Sequence, residues 1–267
     1  MQDYREHNRK AWDDRVRNGQ RHTRTVSLKE LAHPLKAVDP EGWLEGSVQG
    51  RRVLCLAAGG GLQSALYAAA GGEVTVVDLS QAMLDLDEEV AARHRLKVTT
   101  LQASMDDLSA LPRAHFDLVI QPVSTCYVPE VSRVYEEVAK VTSPGGIYIS
   151  QHKQPINLQT SERPSKEGYV LKEPYLGKGP LASAPDGLMH REAGTLEYLH
   201  TWSSLIGELC RAGFVLEDLS EPLLGDSAAE SGSPAHRYAF APPYVKLKAR
   251  LFKAPEGPGT TLILPGA

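Results

Sequence analysis

Residues 53–64 read VLCLAAGGGLQS, and this stretch decides the fold. It begins as a nearly continuous apolar run, typical of a buried strand, and passes through Gly59, Gly60 and Gly61 into a segment with helical spacing. Glycines allow the backbone to turn tightly and to approach a ligand with no Cβ in the way, at the crevice beyond the strand ends of an open sheet. The stretch therefore predicts a ligand-binding turn between a strand and a helix.

The next strand-like run, EVTVVDL at residues 73–79, carries Asp78 near its end, 17 residues after Gly61. An acidic side chain at the tip of the second strand is placed to accept hydrogen bonds from two ribose hydroxyls. The glycine turn and the acid together predict a nucleoside-bearing cofactor. A dinucleotide such as NAD is the second candidate, because its G-x-G-x-x-G pattern needs a third glycine near position 64, where Ser64 stands.

Strand-like and helical segments alternate downstream of this turn. Further strand-like runs are KVTTLQA at 97–103, FDLVIQPV at 116–123 and GIYISQ at 146–151, and helical spacing covers 63–70, 82–94 and 131–141. Strands that alternate with helices predict an α/β fold with a parallel, doubly wound sheet and helices on both faces.

The flanking regions have a different character. Residues 4–16 and 28–43 are expected to form helices, the second broken at Pro34 and Pro40, which fold over the carboxyl end of the first strand. Of the 18 prolines, 12 lie after residue 150, and residues 153–193 show little periodicity, which predicts an ordered insertion or lid. Beyond it we expect a helix at 195–210, a strand at 214–219, a Gly/Ser-rich loop at 225–234, an antiparallel strand at 244–253, and a tail from Pro255 that is loose or lies on the surface.

These segments predict one domain over residues 1–267. Its parts are an N-terminal helical cap (1–48), a cofactor-binding core (49–152), a substrate lid insertion (153–193) and the C-terminal part of the core (194–254).

Composition and charge disfavour several classes of function. The chain carries 29 Lys plus Arg against 33 Asp plus Glu, a net charge of -4, without the basic stripe of a nucleic-acid-binding domain. Cys55, Cys126 and Cys210 are too scattered for a disulfide framework or a zinc site, so we expect no metal and reduced, mostly buried thiols. There is no signal-peptide pattern and no apolar run of about 18 residues. We therefore expect a cytoplasmic protein that does not bind membranes, either a monomer or a homodimer.

In five segments the chain resembles the class I S-adenosylmethionine-dependent methyltransferases, especially their small-molecule branch. The first is the turn at 53–64, which is similar to the D-x-G-x-G-x-G turn of that family. The others are VVDLSQAML at 76–84, LQASMDDLSAL at 101–111, FDLVIQPVSTCYV at 116–128 and AKVTSPGGIYIS at 139–150. The resemblance implies a Rossmann-like, seven-stranded, mostly parallel sheet with the last strand antiparallel, and S-adenosylmethionine as the cofactor.

Three residues depart from the family pattern. Cys55 stands where the family usually has an acidic residue that organises the methionine end of the cofactor, Ala57 where it has its first glycine, and Ser104 where many members place an Asp beside the adenine. Ala57 is a small change if its φ is negative, so a negative φ is expected there. The lost carboxylate at Cys55 implies either weaker cofactor binding or compensation by another residue.

By the same register, the resemblance implies the cofactor-binding residues. Gly59 and Gly61 would face the methionine moiety, with Ala57 and Gln63 in the same turn, and Asp78 would face the ribose. Leu79 and Met83 would face the adenine plane, Ser104 and Met105 would lie at the adenine edge, and Gln121 and Val123 would line the methyl end.

A weaker resemblance covers residues 194–222, which are similar to the late helix, glycine stop and sixth strand of small-molecule methyltransferases. In that branch the preceding insertion covers the substrate, which implies methyl transfer to an O, N or C atom of a small molecule inside an enclosed site.

The candidate catalytic residues are His200, His152 (just past the fifth strand) and Tyr127 (after the fourth strand). For each of them the alternative is a structural role as a buried side chain that packs or forms hydrogen bonds within the protein. Tyr4 and Trp12 are candidates to cap the cofactor cavity. Two alternatives stay open: a non-catalytic sensor or subunit that binds the cofactor, and an NAD(P)-dependent oxidoreductase.

Overall fold

The computed structural model describes residues 3–252, and its centre is a seven-stranded sheet. The strands are β1 (Arg52–Leu56), β2 (Glu73–Asp78), β3 (Val98–Gln102), β4 (Phe116–Gln121), β5 (Thr142–Lys153), β6 (Phe214–Ser220) and β7 (Tyr244–Leu251). Their order in the sheet is β3-β2-β1-β4-β5-β7-β6. The first five strands are parallel, and β7 runs antiparallel to both β5 and β6, which confirms the predicted topology.

Helices α1 to α9 surround the sheet. They are α1 (Tyr4–Arg17), α2 (Leu28–Leu31), α3 (Pro34–Val38), α4 (Gln63–Ala69), α5 (Gln81–His94), α6 (Val131–Val141), α7 (Pro155–Gln159), α8 (Glu208–Arg211) and α9 (Pro234–Phe240). A 3-10 turn at Thr125–Tyr127 follows β4, and a π-helical turn at Ser203–Gly207 leads into α8.

Two apolar layers hold these helices on opposite faces of the sheet. On one face, buried α6 side chains such as Val134 and Val138 pack in the same cluster as Leu54 and Leu56 of β1. On the other, Cys55 of β1 lies in a cluster with Tyr67 of α4 and Leu84 of α5. Successive β1 residues thus face alternate layers, as the period of a strand requires. Burial on both faces explains why the inner parallel strands β1 and β4 read as nearly continuous apolar runs.

The strand order reverses between β1 and β4, because β1 continues outward to β2 and β3 while β4 continues to β5. Ligands of open α/β sheets bind beyond the carboxyl ends of strands at such a switch point. Here the turn after β1 and the turn after β4 meet at this edge, so the topology brings the glycine turn and residues 121–127 together.

The N-terminal helix is fixed across the start of α5. The side chain of Asp3 caps α1, and the Ser80 hydroxyl donates a 2.6 Å hydrogen bond to Asp13 of that helix. Residues 28–43 form the two short helices α2 and α3, with Pro34 at the first turn of the second, as predicted.

The predicted helix at 195–210 is wrong over its first half, since helical structure begins only at residue 202. Residues 195–201 are not helical, and neighbouring segments satisfy part of their backbone. The Leu196 N–H donates to Asn8 Oδ1 at 2.8 Å and the Tyr198 N–H to the Cys126 carbonyl at 2.7 Å. Tertiary hydrogen bonds have here replaced those of a helix.

The insertion is ordered around a buried arginine. Arg237 of α9 donates through Nε to the Ser161 carbonyl at 3.0 Å and through Nη2 to the Asn157 and Thr160 carbonyls at 2.6 and 2.8 Å. The sequence analysis missed α9, although Ser233 followed by Pro234 is a recognisable helix start, and the Ser233 side chain caps the helix.

Other expectations have mixed outcomes. Cys55 and Cys126 are buried and Cys210 is exposed, all as free thiols. In residues 3–252 no helix has both the length and the apolar character needed to cross a membrane. The predicted final strand ends at Leu251, one residue before the end of the described part of the chain. Residue 253, the last of that predicted strand, and the predicted tail from Pro255 lie outside the described residues.

Candidate functional site

A cavity of about 900 Å³ opens at the carboxyl ends of β1, β2 and β4. Its walls come from the glycine turn, from the tips of β2 and β3, from the turn after β4, and from Gln151, Glu192 and Tyr244. Tyr4, Asn8 and Trp12 of α1 and the segment 19–24 complete it on the N-terminal side. Helix α1 and the segment 19–24 thus cover the switch point, whereas residues 28–43, which were also expected there, do not line the cavity.

The glycine turn is packed so tightly from behind that side chains are excluded. A Cβ on Gly59 would lie 2.7 Å from Met83 Cβ and 3.0 Å from Asp78 Oδ2. A Cβ on Gly61, whose φ is +72°, would lie 2.7 Å from Val90 Cγ2. Gly59 and Gly60 line the cavity, whereas Gly61 does not. The backbone itself therefore forms this wall, which is what close approach of a ligand requires.

Asp78 fixes the turn and also faces the cavity. Its Oδ2 accepts the Gly59 N–H at 2.9 Å and its Oδ1 accepts the Ser80 N–H at 2.9 Å. Burial raises the pKa of Asp78 above its ordinary value, against the backbone hydrogen bonds that lower it. Each carboxylate oxygen has further acceptor capacity beyond these bonds, which two hydroxyl groups of a ribose would use.

A second carboxylate, Asp87 of α5, lies behind the turn. It accepts the Gly60 N–H at 2.8 Å, the Gly61 N–H and the Ser64 hydroxyl, and it is fully buried. Burial raises its pKa to about 6, against those hydrogen bonds. Cys55 faces the same layer of the sheet as α5, so Asp87 supplies a carboxylate on the side where the family pattern has its acidic residue.

Ala57 contradicts the expectation of a negative φ, because its φ is +48°. The Ala57 N–H remains in the sheet pattern, donating to the Val77 carbonyl at 2.7 Å, and the chain turns sharply after it. Glycine adopts this left-handed conformation without strain, whereas alanine occupies it at a cost of about 1 kcal/mol.

The residues predicted for the adenine end lie together at one side of the cavity. Leu79, Met83, Ser104 and Met105 all line the cavity. Tyr4 and Arg5 of α1 reach this end too: the Tyr4 hydroxyl donates to Asp106, and Arg5 Nη2 lies 2.9 Å from the same carboxylate. The Ser104 hydroxyl also donates to Asp106. Asp106, two residues after Ser104, thus ties the N-terminal helix to the cavity wall.

At the predicted methyl end, Val123 and Tyr127 line the cavity and Gln121 does not. Gln121 is buried below it, donating to the Ser124 hydroxyl at 2.9 Å and accepting from Tyr148. Trp12 meets the Tyr127 ring edge-on, with 5.7 Å between centroids.

A network of buried charges forms the far wall. Lys153 Nζ donates to Glu192 Oε2 at 2.6 Å and to Glu197 Oε1 at 2.7 Å, and the Tyr127 hydroxyl donates to Glu192 Oε2 at 2.7 Å. Arg191 Nε lies 2.5 Å from Glu197 Oε2. Burial alone would raise the pKa of Glu192, but Lys153 and the hydrogen bonds lower it to about 2, so the carboxylate is ionised.

Neither histidine that the sequence suggested as catalytic lines the cavity. His152 is fully buried, with Nδ1 2.8 Å from the Thr125 hydroxyl and Nε2 2.8 Å from the Ser150 hydroxyl, and burial lowers its pKa to about 3. His200 Nε2 lies 2.9 Å from the Thr125 carbonyl. Their catalytic roles stay predictions, and this geometry favours structural ones.

His22 does line the cavity, and the sequence analysis missed it. Its backbone φ is +70°, and its Nε2 lies 3.5 Å from Glu192 Oε1. Burial lowers the pKa of the ring, although Glu192 alone would raise it.

Of the three predicted catalytic residues, only Tyr127 lines the cavity. Nine of the eleven predicted cofactor-binding residues line it: Ala57, Gly59, Gln63, Asp78, Leu79, Met83, Ser104, Met105 and Val123. Of the missed residues, Asp87 carried a signal, an acid on the buried stripe of a helix. His22 and Glu192 carried none, since they lie in aperiodic segments. Within residues 3–252 no group of three or more His, Cys, Asp or Glu side chains is arranged to hold a metal ion.

Comparisons with known proteins agree with this geometry. A family model described as a methyltransferase domain matches residues 54–150. An uncharacterized methyltransferase, YbaJ of Bacillus subtilis, is 33% identical over 230 residues, covering 80% of this chain and 89% of that protein. The ubiquinone biosynthesis O-methyltransferase of Bordetella pertussis is 31% identical over 118 residues, 42% of this chain and 49% of its own length.

Among solved structures, an S-adenosylmethionine dependent methyltransferase from Mesorhizobium loti superposes with a TM-score of 0.63 at 25% identity. The match covers 82% of this chain and 99% of that one. The similarity therefore extends over the flanking regions as well as the central sheet.

Proposed function

The chain belongs to the class I S-adenosylmethionine-dependent methyltransferases, and from this premise we propose that it methylates an O, N or C atom of a small molecule held inside its cavity. The observation that carries the proposal is the continuity of one cavity of about 900 Å³ from the glycine turn to Glu192 and Tyr244. A space of this size is typical of small-molecule sites. Partial similarity to a ubiquinone biosynthesis O-methyltransferase supports the same class of acceptor.

The residues present fit the cofactor at one end of this cavity. Gly59 has no room for a side chain and Gly60 has a φ of +115°, so both present bare backbone to the cavity, and Asp78 offers carboxylate oxygens at the tip of β2. Leu79 and Met83 supply an apolar surface for the base. We therefore assign the methionine end to the glycine turn, the ribose to Asp78 and the adenine to the wall formed by β2, α5 and β3.

When bound, S-adenosylmethionine supplies a methyl group activated by a positively charged sulfur. The protein has to position the acceptor atom in line with that methyl and to keep water away. Tyr4, Trp12 and the segment 19–24 cover the cavity, and this roof would exclude water from the reacting atoms.

The acceptor would lie between Tyr127, Gln151, Glu192 and Tyr244, beyond the cofactor end. These side chains offer hydroxyl, amide and carboxylate groups, and a few such polar groups are what fixes the orientation of a ligand in a small-molecule site. Glu192 belongs to residues 153–193, so the proposed lid insertion contributes directly to this end. We place the reaction in the cytoplasm and expect a monomer or a homodimer.

The proposal is tested by release of S-adenosylhomocysteine, followed by mass spectrometry, with three sets of acceptors: small metabolites, bulk protein and nucleic acid. We expect turnover with members of the first set and none with the other two. The matched control is Asp78→Ala, which should abolish turnover with every acceptor. Turnover confined to protein or nucleic acid would contradict the enclosed-site proposal.

A further inference from the structure

The segment 19–24 lies over the glycine turn and brings His22 into the cavity wall. The His22 carbonyl oxygen lies 3.8 Å from the position that a Cβ on Gly60 would occupy. His22 has a φ of +70°, an uncommon conformation for a residue with a side chain. Such a conformation persists only where the surrounding structure holds it, and it is concentrated at functional sites.

The His22 ring faces a carboxylate that is fixed from its other side. Glu192 Oε2 accepts hydrogen bonds from the Tyr127 hydroxyl and from Lys153 Nζ, at 2.7 and 2.6 Å. The other oxygen, Oε1, lies 3.5 Å from His22 Nε2. Between residues 3 and 252, no hydrogen bond engages His22 Nδ1. A carboxylate oxygen thus lies within ion-pair distance of one ring nitrogen of a residue that lines the cavity, which is where a general base and the acid that orients it have to lie.

We propose that His22 and Glu192 form a catalytic dyad that removes the proton from a hydroxyl acceptor, so that the enzyme is an O-methyltransferase. This inference rests on the proposed function. Glu192 holds the Nε2–H tautomer, and Nδ1 takes the acceptor proton. The acceptor O–H bond breaks as its oxygen bonds to the methyl carbon, the S–CH3 bond breaks, and its electron pair stays on sulfur. The half-exposed ring then passes the proton to water.

The charges around His22 suit this role. The groups that face it are Glu192, Arg21, Arg15 and Lys153. Burial and the three cations lower the pKa of His22, so the ring is neutral and able to accept a proton at pH 7, while Glu192 stabilises the imidazolium once it forms. A neutral amine acceptor needs little beyond positioning, whereas a hydroxyl must lose its proton, so a base at this point favours an oxygen acceptor.

The first test needs no acceptor. In the S-adenosylhomocysteine complex, nitrogen NMR reports the His22 tautomer and pKa, with the signal assigned by its loss in His22→Gln. We expect the Nε2–H tautomer and, in Glu192→Gln, a pKa lower by about one pH unit because the attracting charge is gone. An Nδ1–H tautomer, or a pKa unchanged in a folded Glu192→Gln protein, would overturn the dyad.

The second test uses matched libraries of hydroxyl and amine compounds with S-adenosylmethionine. We expect turnover of hydroxyl compounds, about 100-fold or more slower in His22→Gln, restored in part by added 4-methylimidazole, with S-adenosylhomocysteine affinity kept within about threefold. His33→Gln, an exposed histidine outside the cavity, is the control.

Three results would count against this assignment. Turnover of amine compounds that persists in His22→Gln would refute the role of His22 as the general base. A tenfold loss of S-adenosylhomocysteine affinity in that variant would show that His22 contacts the cofactor instead. A wild-type enzyme that turns over neither library would contradict the proposed function itself, and the NMR result would then decide whether the dyad exists.

Discussion

Replacing Asp87 by Asn should stabilise the protein while it weakens cofactor binding. The carboxylate is fully buried, and its pKa of about 6 lies above the ordinary 3.8 because burial penalises its charge. That difference corresponds to about 3 kcal/mol, since each pH unit is worth about 1.36 kcal/mol. The stabilisation by neutral Asp87 is complete below pH 3.8 and is lost as the pH rises through 6. At pH 7 the ionised carboxylate of Asp87 therefore lowers the free energy of unfolding, and the neutral asparagine should raise it.

The cost to binding comes from the turn. Asp87 holds the Gly60 N–H at 2.8 Å through a charge-assisted hydrogen bond, and asparagine keeps only a neutral one. A charge-assisted and a neutral hydrogen bond differ by about 1 to 1.5 kcal/mol. This difference predicts that the variant binds S-adenosylhomocysteine about tenfold more weakly at pH 7. In the wild type, the affinity for S-adenosylhomocysteine should also fall as the pH drops through 6, because Asp87 is then protonated. The asparagine of the variant does not titrate, so the affinity of the variant should depend less steeply on pH.

Urea unfolding at pH 7 and pH 4 gives the free energy of unfolding, and calorimetric titration gives the affinity. Asp85→Asn is the matched control, because Asp85 lies on the same helix but is exposed, and neither quantity should change there. A variant that binds S-adenosylhomocysteine as tightly as the wild type would refute the role of Asp87 in the turn. A variant less stable than the wild type at pH 7 would refute the cost assigned to its charge.

Three further outcomes follow from the site. Asp78→Ala should weaken S-adenosylhomocysteine binding by about 100-fold or more in calorimetry, because the Gly59 N–H loses its acceptor and the ribose its partner. Ala57→Gly should raise the free energy of unfolding by up to about 1 kcal/mol in urea, because glycine adopts a φ of +48° without strain; a loss of stability would speak against this. Lys153→Met should cost about 3 to 5 kcal/mol in the same assay, because Glu192 loses its buried cation and Glu197 keeps only Arg191; an unchanged midpoint would contradict it.

The sheet was predictable because its signals are local. Each inner parallel strand is an apolar run with a punctuating turn, and β7 alternates between buried and half-buried residues, as its side-chain period demands. Asp78 and the glycine turn were predictable for the same reason, since both lie at strand ends whose position the pattern marks. The conformation of residues 195–201 was not predictable, because these residues form hydrogen bonds to Asn8 and Cys126, which are remote in sequence, in place of a helix.

By itself, the sequence determined the order and type of most elements, the edge of the sheet where ligands bind, and the class of cofactor. Tertiary structure alone decided how the departures are accommodated: Asp87 stands behind the turn where Cys55 has no charge, and Ala57 takes a left-handed conformation. It also decided the acceptor end, where His22, Tyr127, Lys153 and Glu192 meet. The physical reason is that periodicity reports which face of an element is buried, whereas a polar network depends on how distant segments are brought together.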